Sequence, residues 1–154
     1  MDLRTRIGDA LKSAMKSKQA ERLTTLRLIN AAIKDRDIAL RGEGGGEDAR
    51  VGDTEVLGIL GKMVKQRQES ARAYEEGGRL ELAEQELREI TVIEDFLPRQ
   101  LSEAEVDAAL EAAIVETGAE SIRDMGRVMA VLKGKYTGQM DFGVVGGRLK
   151  ARLG

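Results

Sequence analysis

Apolar residues return every three or four positions through most of this chain, the period of an α-helix with one buried stripe. Leu3, Ile7, Leu11 and Ala14/Met15 form the first stripe and predict a helix over residues 2–17. Leu26, Ile29, Ile33 and Leu40 form a second over residues 19–40. Val56, Leu60, Met63, Arg67, Ser70/Ala71 and Tyr74 mark a third over residues 54–76, with Asp53 as its N-cap. Leu82, Leu87, Ile90 and Ile93/Leu97 mark a fourth over residues 79–96. Three shorter helices follow. Ser102 and Glu105 make a capping box ahead of Val106, Leu110 and Ala113/Ile114, and Gly118 closes that helix. Asp124 is placed to cap a helix burying Met125, Val128, Met129, Leu132 and Tyr136. Asp141 is placed to cap one burying Phe142, Val145 and Leu149. No internal repeat is evident.

With two Tyr, two Phe and no Trp, the core must come from Leu, Ala, Val and Ile, which suits helix-on-helix packing better than a β-sandwich. The expected fold is all-α: a helical N-terminal domain of about four helices plus a small three-helix C-terminal bundle. Pro98, the only proline, sets the boundary between residues 1–97 and 98–154. The stretch RGEGGGEDARVGD, residues 41–53, is expected to be a mobile loop with nothing to bury. No Gly-Lys-Ser/Thr closes it, so it is not a Walker loop.

The chain has no His and no Cys, which removes Ser-His-Asp and Cys-His chemistry, disulfides, and zinc sites with imidazole or thiolate ligands. No catalytic residue, cofactor or metal is expected. No apolar run approaches the ~20 residues that span a bilayer, and the N-terminus lacks a secretory apolar stretch. The expected setting is cytoplasmic, with no membrane partner.

The net charge of −2 hides a segregation: +5 over residues 1–41, −7 over 42–97, −5 over 98–122 and +5 over 123–154. Two basic segments flank an acidic middle. Arg127, Lys133, Lys135, Arg148, Lys150 and Arg152 all belong to the last two helices, and Gly126 bares the first turn of one of them. Helix N-terminal amides favour an anion, so these seven residues form a candidate nucleic-acid-binding set. The competing reading is that Gly126 lets two helices pack closely and Asp124 merely caps its helix. Arg27, Lys34 and Arg41 make a second candidate basic row, on the outer side of the second helix with Asn30. Nearby Asp35 and Asp37 fit an ordinary wet face equally. Arg67 falls on a stripe that should be buried, so its guanidinium needs partners. It is either an anion site or half of a structural ion pair with Glu86 or Glu89. Glu81, Glu84, Glu86 and Glu89 give only a weak magnesium spacing.

Three stretches taken together carry a family resemblance: ERLTTLRLINAAIK, then ILGKMVKQRQESARAYEEGGRLELAEQELREITVIEDFLPRQLS, then GAESIRDMGRVMAVLKGKY. Their order and spacing resemble the YqeY family, which shares a helical tail domain with one component of the glutamyl/aspartyl-tRNA amidotransferase. The resemblance covers nearly the whole chain, and Lys65-Gln66-Arg67 matches the family's Lys-Gln-Arg. Gly146-Gly147, inside the last predicted helix, departs from the pattern. The resemblance implies an all-α protein and the activity habitually attached to the family, that of a carbon–nitrogen ligase with glutamine as amido-N-donor. The shared tail is the part associated with tRNA contact, and the catalytic cradle that accompanies it in the amidotransferase has no counterpart here. The expectation is therefore a non-catalytic tRNA- or RNA-associated module, in contact with tRNA or a tRNA-handling protein complex. A component of a glutamine-dependent ligase and a protein–protein adaptor are the alternatives.

Overall fold

The computed structural model describes residues 2–154. Among them are seven α-helices and no strand: α1 (Leu3–Lys16), α2 (Ala20–Leu40), α3 (Asp53–Glu76), α4 (Leu80–Glu94), α5 (Glu103–Thr117), α6 (Met125–Tyr136) and α7 (Phe142–Leu153). The protein is all-α. Two compact units divide it, Met1–Leu97 and Pro98–Gly154.

The first unit packs two helical hairpins, α1 on α2 and α3 on α4, with α2 also lying against α4. Ile7, Leu26, Ile29, Ile33, Val56, Leu60 and Ile93 are almost fully buried at its centre. These aliphatic stripes drive the packing, each side chain contributing about 1.5–3 kcal/mol when removed from water. The spacing of α4 predicts Leu87 inward. Instead Ala83 is buried and Leu87 is 47% exposed. The thin Ala83 faces the core with Ile90 and Ile93, which turns the position of Leu87 toward solvent.

Residues 41–53 also depart from expectation. Arg41–Gly45 continue α2 into one π-helical turn. A Cβ on Gly45 would lie 2.8 Å from the Leu40 carbonyl oxygen and 2.9 Å from the Ala49 Cβ, so this turn closes only on glycine. The segment does bury something: Val51 is 3% exposed within the core. It is held there by Asp37, a buried carboxylate on α2 that accepts the Val51 N–H at 2.8 Å. Asp37 also accepts both terminal nitrogens of Arg4 on α1, at 3.0 and 2.8 Å. The guanidinium holds its pKa below the usual carboxylate range, and the Val51 amide adds to that.

Two predicted caps use their carboxylates elsewhere. Gly52 occupies the N-cap of α3, and Asp53 becomes its first residue. The Asp53 carboxylate instead accepts the Leu3 N–H at 3.1 Å, satisfying the first turn of α1. Asp124 does hold the N-cap position of α6, but its side chain makes no cap bond to that helix. It closes a 3-10 turn, Ile122–Asp124, whose N-cap is Ser121, and its carboxylate accepts the Glu120 and Ser121 N–H groups.

The second unit is a three-helix bundle with α5 against both α6 and α7. Leu110, Ile114, Val128, Leu132, Val145 and Leu149 fill its core. Ser102 and Glu105 form the capping box of α5, and Gly118 ends that helix at φ 67°, a conformation that favours glycine.

Replacing Asp37 tests the junction of α1, α2 and the 41–52 turn. Asp37→Ala leaves the Arg4 guanidinium and the Val51 N–H without their acceptor and should lower stability by about 2–4 kcal/mol. The measurement is the urea midpoint at unchanged slope. A variant unfolding at the parent's midpoint would show that the junction does not depend on this carboxylate.

Candidate nucleic-acid interface

The C-terminal unit carries eight Lys/Arg and eight Asp/Glu over residues 98–154, so its cations share their surface with as many acids. On α5, Glu103, Asp107 and Glu111 recur every four residues and form one line. Arg148 of α7 donates to Asp107 at 2.9 Å, and lies 3.7 Å from Glu103. Arg152, one turn on, holds Glu111 with two bonds at 2.6 and 3.1 Å. Both pairs span 41 residues, so α5 and α7 run in the same direction with their charges in register. On another side of α5, Glu116 accepts Lys135 of α6 at 2.7 Å. Arg127 stays local, donating to Asp124 at 2.6 Å and to the Thr117 carbonyl at 3.2 Å.

Four of the six cations in the candidate set are thus committed to carboxylates. Glu116 raises the pKa of Lys135 and Glu111 raises that of Arg152, each by direct hydrogen bonding to the charged form. Lys133 and Lys150 differ. Both are exposed, and among the described residues neither pairs with a carboxylate.

Helix register explains why these two lysines behave alike. MGRVMAVLKGKY in α6 and FGVVGGRLKARL in α7 share one twelve-position pattern, each preceded by an aspartate. Gly126 matches Gly143, Val128 matches Val145, Leu132 matches Leu149, and Lys133 matches Lys150. Lys135 and Arg152 also correspond, and both turn toward α5. A repeat is therefore present where none is evident from sequence, because it is short and only the shared helix boundaries align it. In each helix Val and Leu face the core. The opposite side of α6 is Gly126, Ala130 and Gly134, and that of α7 is Gly143, Gly147 and Ala151, all exposed. A Cβ on Gly126 would meet no atom within 4 Å, so this glycine is not there to bring two helices together.

The other sequence candidates lie in the N-terminal unit. Arg67 is 15% exposed at its side chain, with Nε 3.3 Å from a Glu89 oxygen on α4. Its Nε hydrogen is not aligned on that oxygen, while Nη1 donates to the Met63 carbonyl at 3.3 Å. Burial and the neighbouring Glu89 charge push Glu86 above the usual carboxylate range. This is an interhelical ion pair between α3 and α4. In the second basic row, Arg41 donates to the Ala49 carbonyl at 3.2 Å and braces the turn after α2. Arg27 and Lys34 remain exposed without a carboxylate partner among the described residues.

Sequence reasoning missed the acids of α5. Their signal was present as Glu103, Asp107 and Glu111 at helical spacing, but their partners lie 41 residues away.

These features define a small all-helical protein whose cationic helices are clipped to an acidic one. The family described as Yqey-like protein matches residues 4–153, and the chain belongs to that family. Among curated proteins it is similar to "Altered inheritance of mitochondria protein 41, mitochondrial" from three fungi. The Clavispora lusitaniae protein is 38% identical over 56% of this chain and 46% of its own length. The Lachancea thermotolerans protein is 32% identical over 69% of this chain and 54% of its own. That of Pyrenophora tritici-repentis is 27% identical over 84% and 71%. The chain spans about half the length of the first two. The cytoplasmic expectation is corrected here, because these relatives are named as mitochondrial proteins. A helix set without a membrane-length apolar span and a cysteine-free composition are compatible with either compartment, so neither could decide between them.

Acid should loosen the C-terminal unit through two carboxylates. The Glu120 and Ser121 amides and Arg127 hold Asp124 down from 3.8 to about 2, and Arg99 with the Ser102 amide holds Glu105 down from 4.5 to about 2. A depressed pKa stabilises the folded state above the ordinary value and loses that effect as pH falls through the shifted one. The thermal midpoint should therefore drop as pH is lowered from 4.5 to about 2, and Asp124→Asn with Glu105→Gln should flatten that drop. An unchanged pH profile in the double variant would rule these groups out as its source.

Proposed function

We propose that this protein is a non-catalytic RNA-associated module that meets a phosphate backbone through the outward sides of α6 and α7. The observation that supports it most is the pair Lys133 and Lys150. They stand at equivalent positions of two repeated helices, each beside a line of Gly and Ala that lets a backbone approach, and neither is engaged by a carboxylate. Lysine on an exposed helix is a phosphate contact that carries no sequence information, so the module positions RNA rather than reading it. The resemblance of its C-terminal unit to the amidotransferase tail makes tRNA the RNA of choice.

The wider cationic set is reduced by its own acids. A polyanion reaching Arg127, Lys135, Arg148 or Arg152 must displace a carboxylate already at hydrogen-bond distance. Such an exchange trades one anion for another and adds little. Lys133 and Lys150 offer new pairs, and so should dominate.

Labelled tRNA titrated into the full chain tests this by fluorescence anisotropy. Binding should weaken between about 50 and 200 mM salt, with a log–log slope near −1.5, the value for two phosphate contacts at about 0.7–0.9 each. Lys133→Ala with Lys150→Ala should cost about tenfold or more and flatten the slope, whereas Arg152→Ala should change affinity less than about twofold. Tight binding indifferent to salt and to the double substitution would overturn the reading.

A further inference from the structure

The N-terminal unit leaves two helix faces uncovered, and they are opposite in charge. On α2, Arg27, Ala31, Lys34 and Ile38 are all exposed, Ile38 by 63%. On α4, Leu80, Glu84, Leu87 and Thr91 are all exposed, Leu80 by 61% and Leu87 by 47%. Two leucines seven residues apart on one exposed line form an apolar strip, which a solitary surface leucine does not. Glu84 makes no ion pair at contact distance among the described residues; its charge acts on Arg88 one turn away, whose guanidinium is bonded to Glu21 at 2.7 Å. Glu94, one turn beyond Thr91, is likewise exposed and unpaired among them.

Both faces step four, three and four residues, and read in opposite directions their chemistry is complementary. Ile38 falls on Leu80, Lys34 on Glu84, the small Ala31 on Leu87, and Arg27 on Thr91 within reach of Glu94. Four residues of helix advance about 6 Å, so the matched positions stay level along antiparallel axes. The same complementarity holds over the whole segments: +5 over residues 1–41 against −7 over 42–97. A partner that presents both halves of this pattern is another copy of the chain.

We propose that the protein self-associates through this surface, α2 of one copy lying antiparallel on α4 of a second. Ile38, Leu80 and Leu87 supply the apolar centre, and Lys34–Glu84 with Arg27–Glu94 supply the flanking pairs. Each copy carries both faces, so the contact is made twice in a closed dimer or repeated in an open series. The interface is of the weak, salt-sensitive kind.

Sedimentation velocity of the full chain, without nucleic acid, tests it. At about 100 µM the protein should sediment as more than a monomer, and raising the salt should shift it back toward monomer. Lys34→Glu and Glu84→Lys should each weaken association by about tenfold or more, through like charges at the contact. An equimolar mixture of the two variants should regain it, because each new charge then meets its opposite on the other copy. Both sites are exposed and both residues favour helix, so circular dichroism should match the parent. A parent that stays monomeric at the highest concentration overturns the proposal, as does a mixture that fails to recover. So does Lys34→Glu abolishing tRNA binding while sedimentation is unchanged, which would assign the α2 row to RNA.

Discussion

A carboxylate taken out of water has to find its hydrogen-bond donors inside the protein, and where they come from decides what must stay together. Asp37 draws on Arg4 at the start of the chain and on the Val51 amide beyond a glycine-rich turn. Three separate segments therefore converge on one side chain. With Val51 seated in the core, α3 begins two residues later, and the Asp53 carboxylate is left close enough to accept the Leu3 N–H. The start of α1 and the start of α3 are thus tied together through polar bonds. The aliphatic stripes provide most of the driving force for this unit, but they are non-directional. The Asp37 cluster fixes α1, α2 and the turn into α3 against one another, while separate ion pairs, Arg88 with Glu21 and Arg67 with Glu89, tie α4 to α2 and α3.

Seven helices and an aliphatic core could be read from the sequence because both depend on local period and composition. Ile7, Ile29, Leu60 and Leu132 lie where a 3.6-residue repeat puts them, and all are almost fully buried. What could not be read depends on distant neighbours. Asp37 looks like any polar residue on a wet helix face until Arg4 and Val51 are placed beside it. Asp53 satisfies the sequence rule for an N-cap, yet its carboxylate is recruited across fifty positions by α1. Leu87 has the right spacing to be buried, and loses its place because Ala83 occupies the side of α4 that meets the core.

The charged surface shows the same division more sharply. That the last two helices are cationic follows from counting. Which cations are available depends on α5, whose acids match Arg148 and Arg152 across 41 residues because two helices run parallel. The repeat shared by α6 and α7 sorts the rest. Positions equivalent to Lys135 turn toward α5 and find carboxylates there, while positions equivalent to Lys133 turn away and find none among the described residues. Two basic residues only two apart in sequence thus have different fates, set by a rotation of about 200° around the helix axis.

Pairing cations within a bundle has a consequence for how it can discriminate among anions. A surface of free lysines attracts polyanions with little discrimination, since phosphate attraction is blind to sequence. A surface on which most cations already hold a carboxylate gives little net gain to an anion that merely replaces that partner. It rewards one that leaves the existing pairs intact and also reaches the unpaired lysines. Within the C-terminal unit those are Lys133 and Lys150, carried on two helices and flanked by glycine and alanine, with Arg123 before α6 a third cation that has no carboxylate partner among the described residues. On the proposed RNA reading, the separation of these charges is a shape requirement, so binding there would carry geometric selectivity even without a contact to any base. An acidic helix packed against two basic ones is therefore not self-cancelling. On that same RNA reading it suppresses the indiscriminate part of the electrostatic attraction and leaves the part that depends on where the unpaired cations stand.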